Sequence, residues 1–297
     1  MKISALPLAL LLAVPAAWGD TMRNGVPAPT DPAQLKKYYD KAFEYYVAGD
    51  LVKAIENWNL VLRLDPDQVT ARNMINEARR RMDELWESEK KKYARQLAAG
   101  KWRDALLTVE KLLASDPKNP LFLRLQERLK DIMLTVKSKP SSNKAWNAAA
   151  LGLYYYAGEE EDHPFTYDAL RYAAELAPSD RRLKALVETV EKHHPDYKLR
   201  DTRLPGVPIL DHKRETALQY IYDSKFNLAV RELEYILMLE PGDALTLKRL
   251  GSTYLQLKDY RKARQAWQKA LRASPGDEQL KEYLAALDEL QKASARK

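Results

Sequence analysis

From Leu35 onward, apolar residues return every three to four positions and group into helices of about 12 to 15 residues, the spacing that places them on one face of a 3.6-residue helix. The helices come in pairs, and each pair closes on a proline. The best-formed pair runs from Ala244 to Asp277. Leu247, Leu250, Gly251 and Tyr254 share a face of its first helix, and a turn follows at Lys258-Asp259. Ala263, Trp267 and Ala270 share a face of the second helix, and Pro275 ends it, because the proline ring cannot continue a helix. Small residues at 251, 263 and 270 are expected where the two helices cross closely, with Tyr254 and Trp267 filling the space beside them.

The same offsets recur along the chain. Leu35 to Gln68 supplies Tyr38, Ala42, Tyr45, Ala54, Trp58, Val61 and Pro66, with Gly49-Asp50 at the turn. Leu210 to Asp243 supplies Ala217, Tyr220, Ala229, Leu233, Ile236 and Pro241. A copy around Gly100 keeps Ala105, Val109, Leu112 and Pro117, but Tyr93 and Gln96 stand where a small residue and an aromatic belong. A degenerate copy begins at Leu151-Gly152 and Tyr155 and resumes after an insertion with Thr166, Leu170, Ala173 and Pro178. The spacing is irregular: Ala54 to Ala105 is 51 residues, Ala105 to Thr166 is 61, Thr166 to Ala229 is 63, and Ala229 to Ala263 is 34. The surplus is itself helical. Residues 68–98 hold no proline or glycine and predict one helix of about 46 Å at 1.5 Å per residue. Asn119-Pro120 opens a helix to about Val136, residues 137–143 are a turn, and Asp180 opens a helix that His193-His194-Pro195 ends. Residues 196–210, with Pro205-Gly206-Val207-Pro208, read as the longest non-helical stretch of the body. A terminal helix from Asp277 to Ala293 presents Glu278, Lys281, Glu282, Asp288 and Glu289 outward, as suits an element that ends a stack.

The pattern over Leu247–Pro275 resembles the tetratricopeptide signature W-x2-L-G-x2-Y…A-x3-F…A…P. That resemblance implies an all-α, right-handed superhelical α-solenoid of helix–turn–helix repeats, irregular here, with a C-terminal capping helix, and the helix-period patterning from Leu35 to Leu290 predicts about 12 or 13 helices without a sheet. It also implies a protein-binding concave groove lined by the first helix of each pair. Transferred to this chain, the groove positions are Tyr39, Phe43 and Tyr46 in the first copy and Lys90, Ala94 and Leu97 in the second. They are Leu153 and Tyr156 in the degenerate copy, then Arg214, Leu218, Ile221 and Tyr222, and finally Lys248, Ser252 and Leu255. Family members that bind chaperone tails hold a terminal carboxylate with a clamp of two lysines and two asparagines. Phe43, Ala94, Leu218 and Ser252 occupy the asparagine positions, so that clamp is missing, and an amphipathic helix or extended apolar segment is the expected guest. A groove filled by the chain's own N-terminal tether, or by a second copy, is the competing expectation.

The organisation expected is a signal peptide over 1–19, a proline-rich tether over 20–34, a sub-array over 35–195, a hinge over 196–212, and a C-terminal repeat pair with its capping helix over 213–293. Lys2 precedes an apolar run from Ile3 to Val14, and Ala17 and Gly19 offer small residues at the −3 and −1 positions of a cut before Asp20. The run is too short to span a bilayer. An uncleaved anchor is the alternative, and export to the periplasm or the extracellular space is expected either way. Pro27, Pro29 and Pro32 make the tether extended, and Thr30-Asp31-Pro32 offers a helix start.

Composition narrows the function. The 297 residues contain no cysteine, which excludes disulfides and thiolate metal sites. The formal charge of +7 falls to +6 without Lys2, and basic residues alternate with acids, as in Glu77 to Glu84, so no nucleic-acid stripe emerges. Among four histidines, adjacent His193 and His194 diverge by about 100° on a helix and suit a surface helix terminus, not a metal site. Asp211-His212 offers half of a catalytic dyad, and Glu159-Glu160-Glu161-Asp162 a solvated loop. No phosphate loop, nucleophile elbow or zinc-protease motif occurs, so no enzyme, cofactor or metal is expected. Two readings stay open: an envelope scaffold or assembly factor binding a subunit of larger machinery, and a chaperone-like carrier of unfolded or small ligands. The leader gives the first prediction: N-terminal sequencing of protein from its native cell should return a chain starting at or near Asp20, and recovery of Met1 would refute cleavage.

Overall fold

The computed structural model describes residues 22–23, 26–27, 32–136, 143–160 and 163–295. Those residues form fourteen helices and one very short ladder. The ladder, β1 (Met22–Arg23) and β2 (Val26–Pro27), is antiparallel with Met22 opposite Pro27, and it lies ahead of a body whose described elements are all helices. Proline drives the residue before it into extended backbone, so Val26 is already in strand conformation. The turn expected at 137–143 and the acidic pair Glu161-Asp162 lie outside the described residues, apart from Asn143.

Packing divides the described residues into two compact units: those up to 87 with 114–117, and those of 88–113 with those from 118 on. In the first unit, α1 (Pro32–Val47) and α2 (Leu51–Leu64) make one helix pair, against which the first half of α3 (Val69–Ala98) packs. α1 begins at Pro32, where a missing N–H costs nothing. The core is Ala42, Leu51, Ala54, Trp58, Val61, Ala71, Ile75 and Ala78. α3 is 30 residues long, as the absence of proline and glycine predicts.

The second unit begins at residue 88 within α3 and holds α4 (Trp102–Ser115) as far as residue 113, then α5 (Pro120–Thr135), α6 (Lys144–Tyr156), α7 (Phe165–Leu176), α8 (Arg181–His193) and α9 (Pro195–Arg200). It ends with α10 (Ile209–Tyr222), α11 (Phe226–Leu239), α12 (Ala244–Gln256), α13 (Tyr260–Ala273) and α14 (Glu278–Ala295). Neighbouring helices pack as antiparallel pairs, α6 with α7, α10 with α11 and α12 with α13, and α14 covers the last pair through Leu280 and Leu287. The five charged residues expected outside on α14 are all exposed.

One closure recurs at four of the turns. The third residue after the first helix donates its N–H five residues back: Asp50 to Tyr45, Lys101 to Gln96, Lys225 to Tyr220 and Asp259 to Tyr254, at 2.8–2.9 Å. The residue before each donor is left-handed: Gly49 (φ 82°), Gly100 (φ 64°), Ser224 (φ 58°) and Lys258 (φ 60°). This six-to-one bond satisfies a helix-end carbonyl. It appears in the Gly100 copy too, although Tyr93 and Gln96 spoil that copy's sequence signature.

The stretch read as a hinge is partly helical. Pro195 opens α9 as well as ending α8, because proline suits the first turn of a helix, and α10 starts at Ile209, so the irregular backbone is confined to 201–208. That stretch is pinned within the second unit. Asp201 pairs with Arg171 at 2.6 Å, Arg203 bonds Glu175, and Glu175 also accepts the Ile209 N–H at 3.0 Å.

Gly251 explains how close α12 and α13 approach. A methyl placed there would lie 2.3 Å from Trp267 Cδ1, and the bare backbone lets the indole Nε1 donate to the Lys248 carbonyl at 3.1 Å. At the matching place in the first copy stands Ala42, and the buried Trp58 Nε1 finds no acceptor. Gly251→Leu should lower stability by at least about 1–3 kcal/mol in a thermal or denaturant melt, since overpacking displaces the indole. Conversely, Ser224→Gly and Lys258→Gly should each raise stability by about 1 kcal/mol, because glycine enters the left-handed region without the Cβ penalty. An unchanged melt in either series contradicts this helix register.

Candidate functional site

The transferred groove positions fall into three groups. In the first unit, Phe43 is half exposed on α1 and stacks on Tyr46 at 6.5 Å between ring centroids. Tyr46 leans on Trp58 at 5.5 Å and receives the Arg81 guanidinium at 4.4 Å, while Tyr39 packs partly buried on the same core. These three residues share one face, with Phe43 as its open end.

Leu97, Leu153 and Tyr156 are core residues rather than an open wall, each 2% exposed. The extra helices that lengthen the repeat spacing account for this. Tyr93 at the end of α3 donates its hydroxyl to the Ala157 carbonyl at 2.7 Å, bringing α3 against the end of α6. Tyr156 is covered by α5 and α8: Arg128 lies 4.9 Å from its ring centroid and donates to its carbonyl at 2.7 Å, while its hydroxyl meets His193 Nδ1 at 3.1 Å. His193 Nε2 reaches Asp131 at 3.0 Å, and His194 stacks on Tyr197. The two histidines are therefore internal fasteners, not the surface terminus that their place at a helix end suggested.

The basic groove positions are engaged. Lys90 pairs with Glu159 at 3.1 Å. Arg214 bonds Asp243, the N-cap of α12, and Lys248 bonds Asp277, just ahead of α14, at 2.7 Å; both links span 29 residues. Trp146 makes the equivalent link through Nε1 to Asp180, the N-cap of α8, at 3.0 Å. That link spans 34 residues, because eight residues rather than three join its helix pair. A side chain on the first helix of a pair thus holds the cap of the helix that follows the pair. Leu218 and Ile221 are half-buried, Ser252 is bonded to the Lys248 carbonyl, and Leu255 packs on the C-terminal core. Tyr222 stands 73% exposed.

A second feature had little sequence signal. Pro164, α7, α9, the 201–208 segment, α10 and Glu232 of α11 enclose a cleft of about 250 Å³. At its centre the Lys213 ammonium is shared by Asp168 at 2.6 Å and Glu232 at 2.7 Å. Beside it Arg171 pairs with Asp201 and lies 4.7 Å from the Tyr167 ring, which meets Tyr197 at 5.4 Å. Burial pushes the Asp168 carboxyl above its ordinary range, with Lys213 opposing. Burial pulls the Lys213 ammonium down, but Asp168 and Glu232 outweigh it and leave it raised. Burial also holds the His212 imidazole below its usual range. The hints in the sequence were His212, which lines this cleft, and Asp168 and Arg171, three apart, the lone charges over 165–174.

Comparison with known proteins agrees with the best-formed unit: residues 244–277 match the family model described as Tetratricopeptide repeat, so the chain carries this repeat across α12 and α13. Solved structures similar to it include the TPR2AB domain of yeast Sti1 in complex with pHSP90, 16% identical over 90% of this chain and 87% of that one, with a TM-score of 0.28. The TPR domain of P58(IPK) is 18% identical over 90% and 80%, with a TM-score of 0.28. The MamA protein is 16% identical over 84% and 96%, with a TM-score of 0.22. No curated protein matches the chain.

Lys213→Met should cost about 3–5 kcal/mol in a denaturant melt, because it leaves two buried carboxylates facing each other. Asp168→Asn should cost far less. A carboxyl raised by folding adds stability that is complete below its ordinary value of 3.8 and is lost as the pH climbs through the folded value. The stability of wild type minus Asp168→Asn should therefore fall as pH rises above that value, and a flat difference would refute the assignment.

Proposed function

We propose that the protein is a non-enzymatic interaction scaffold of the cell envelope that docks a segment of a partner protein on the first helices of its repeats. The observation that supports this most is the half-exposed Phe43, an aromatic side chain held out from α1 on a fixed stack of Tyr46 and Trp58. An aromatic of fixed orientation gives large contact area at little entropic cost, the usual property of an interface anchor. Tetratricopeptide repeats serve as interaction modules, and the charged groove positions Lys90, Arg214 and Lys248 are neutralised within the fold, which favours an apolar guest over a carboxylate terminus. No helix among the described residues is long and apolar enough to cross a membrane, and the proposed envelope location rests on the leader sequence.

Crosslinked capture from native envelope fractions tests the reading: a scaffold yields one stoichiometric partner, whereas suppression of aggregation of unrelated clients without such a partner favours the chaperone-like carrier. Phe43→Ala should leave the melting temperature within about 1–2 °C of wild type while weakening partner capture by at least about 2 kcal/mol. Tyr46→Ala should lower the melting temperature, since its ring packs on Trp58 and under Arg81.

A further inference from the structure

We propose that the exposed face of α13 is an electrostatic docking surface for an anionic phospholipid membrane; the choice of lipid rests on the envelope location proposed above. Basic and acidic residues alternate along other helices, but α13 carries Arg261, Lys262, Arg264, Lys269 and Arg272 and no acid. Two of these cations are neutralised, Lys262 by the cap Asp259 at 3.7 Å and Arg264 by Asp288 at 2.5 Å. Arg261, Lys269 and Arg272, with Lys258 in the turn before the helix, are exposed, and their side chains make no ion pair or hydrogen bond. At 100° per residue, Arg261, Gln265, Gln268 and Arg272 fall within about 60° of one another, and Lys269 flanks them. The line from Arg261 to Arg272 runs about 17 Å. Acids on the flanking helices do not cancel it. Glu278 and Glu289 pair with Lys281 and Lys292 of their own helix, and Glu234 accepts the Tyr254 hydroxyl. Glu282 stands about 160° around α14 from the buried Leu280.

The other well-formed copies lack this stripe. The places of Gln265 and Gln268 are taken by Glu56 and Asn59 in α2 and by Arg231 and Glu234 in α11, and the place of Arg261 by Val52 and Asn227. Each of those helices has an acid on the line. α13 has two amides instead, which donate hydrogen bonds to phosphate oxygens without cancelling charge. It exposes no large apolar side chain, so it lacks the aromatic or aliphatic anchor that a protein partner would bury. An anionic lipid surface asks only for charge, and each Lys or Arg near it contributes about 1 kcal/mol. Export, as the leader implies, separates the chain from nucleic acid.

Co-sedimentation of the full chain with vesicles of equal parts phosphatidylglycerol and phosphatidylcholine tests the surface. Vesicles of phosphatidylcholine alone report whatever the leader's apolar run contributes. Binding should be stronger to the anionic vesicles and should weaken as salt is raised, because the charges are exposed. Arg261→Gln, Lys269→Gln and Arg272→Gln together should weaken it at least about tenfold without shifting the melting curve, since these side chains hold no partner. Lys53→Gln, Lys225→Gln and Lys281→Gln remove the same net charge from exposed, locally paired positions, and should leave binding within about twofold. If the stripe variant melts early, single Arg261→Gln and Arg272→Gln carry the test, each weakening binding about fivefold. Equal binding to the two kinds of vesicle, or equal loss in the two triple variants, would overturn the surface. Tighter binding of duplex DNA than of anionic vesicles overturns lipid as the partner in favour of nucleic acid. The assay contains no partner protein, so its failure leaves the scaffold reading standing, and a failed capture leaves the vesicle result readable.

Discussion

Two helices approach only as near as the smallest residue at their crossing permits, and the larger side chains must then fit what space is left. In the last pair that residue is Gly251, with Trp267 laid directly against the bare backbone. The pairing dictates the rest of the local design. The indole occupies the crossing, its nitrogen takes a backbone carbonyl as partner, and the left-handed residue at 258 sets the return angle that keeps the two faces opposed. In the first pair the additional methyl of Ala42 occupies this place and the Trp58 nitrogen is left without an acceptor, so the same scheme is realised less completely. An unmet buried donor costs on the order of 1–3 kcal/mol, and the surrounding aromatics Tyr39, Tyr45 and Tyr46 pack on that core.

Charge serves this architecture more than it decorates it. Helix starts carry Asp50, Asn119, Asn143, Asp180, Asp243 and Asp259 as caps, each accepting backbone N–H groups that no helical partner satisfies. Three of those helix starts or their equivalents are also gripped from the preceding pair, by Trp146, Arg214 and Lys248. The Lys213 triad, the Glu175 contacts and the bond from Tyr172 to Glu240 tie α7 to the helices that follow it, across a place where the sequence suggested a break.

Periodicity carried most of the fold. The 30-residue α3, the Asn119 cap and the boundaries of α8 follow directly from proline and glycine placement, which acts locally. Local rules failed where a proline has two roles: Pro195 was read only as a stop, yet it also starts α9. The site was less legible. Transferring groove positions assumes that every first helix leaves the same face open. The helices inserted between repeats cover that face at Leu97, Leu153 and Tyr156, and burial of this kind is set by tertiary packing rather than by spacing. The cleft around Lys213 gathers residues scattered over several elements between Pro164 and Glu232, and a one-dimensional pattern does not record such an assembly.

The links from Arg214 to Asp243 and from Lys248 to Asp277 place the holding side chain in one repeat and the held cap at the start of the next. Each boundary therefore presents the same plug and socket. Removing or duplicating one whole 34-residue segment by unequal recombination would rejoin a plug to a fresh socket without a new contact having to arise. An insertion inside a pair only lengthens the reach, as the span from Trp146 to Asp180 already records. Such a chain can change its length in evolution by whole units while each junction stays sound.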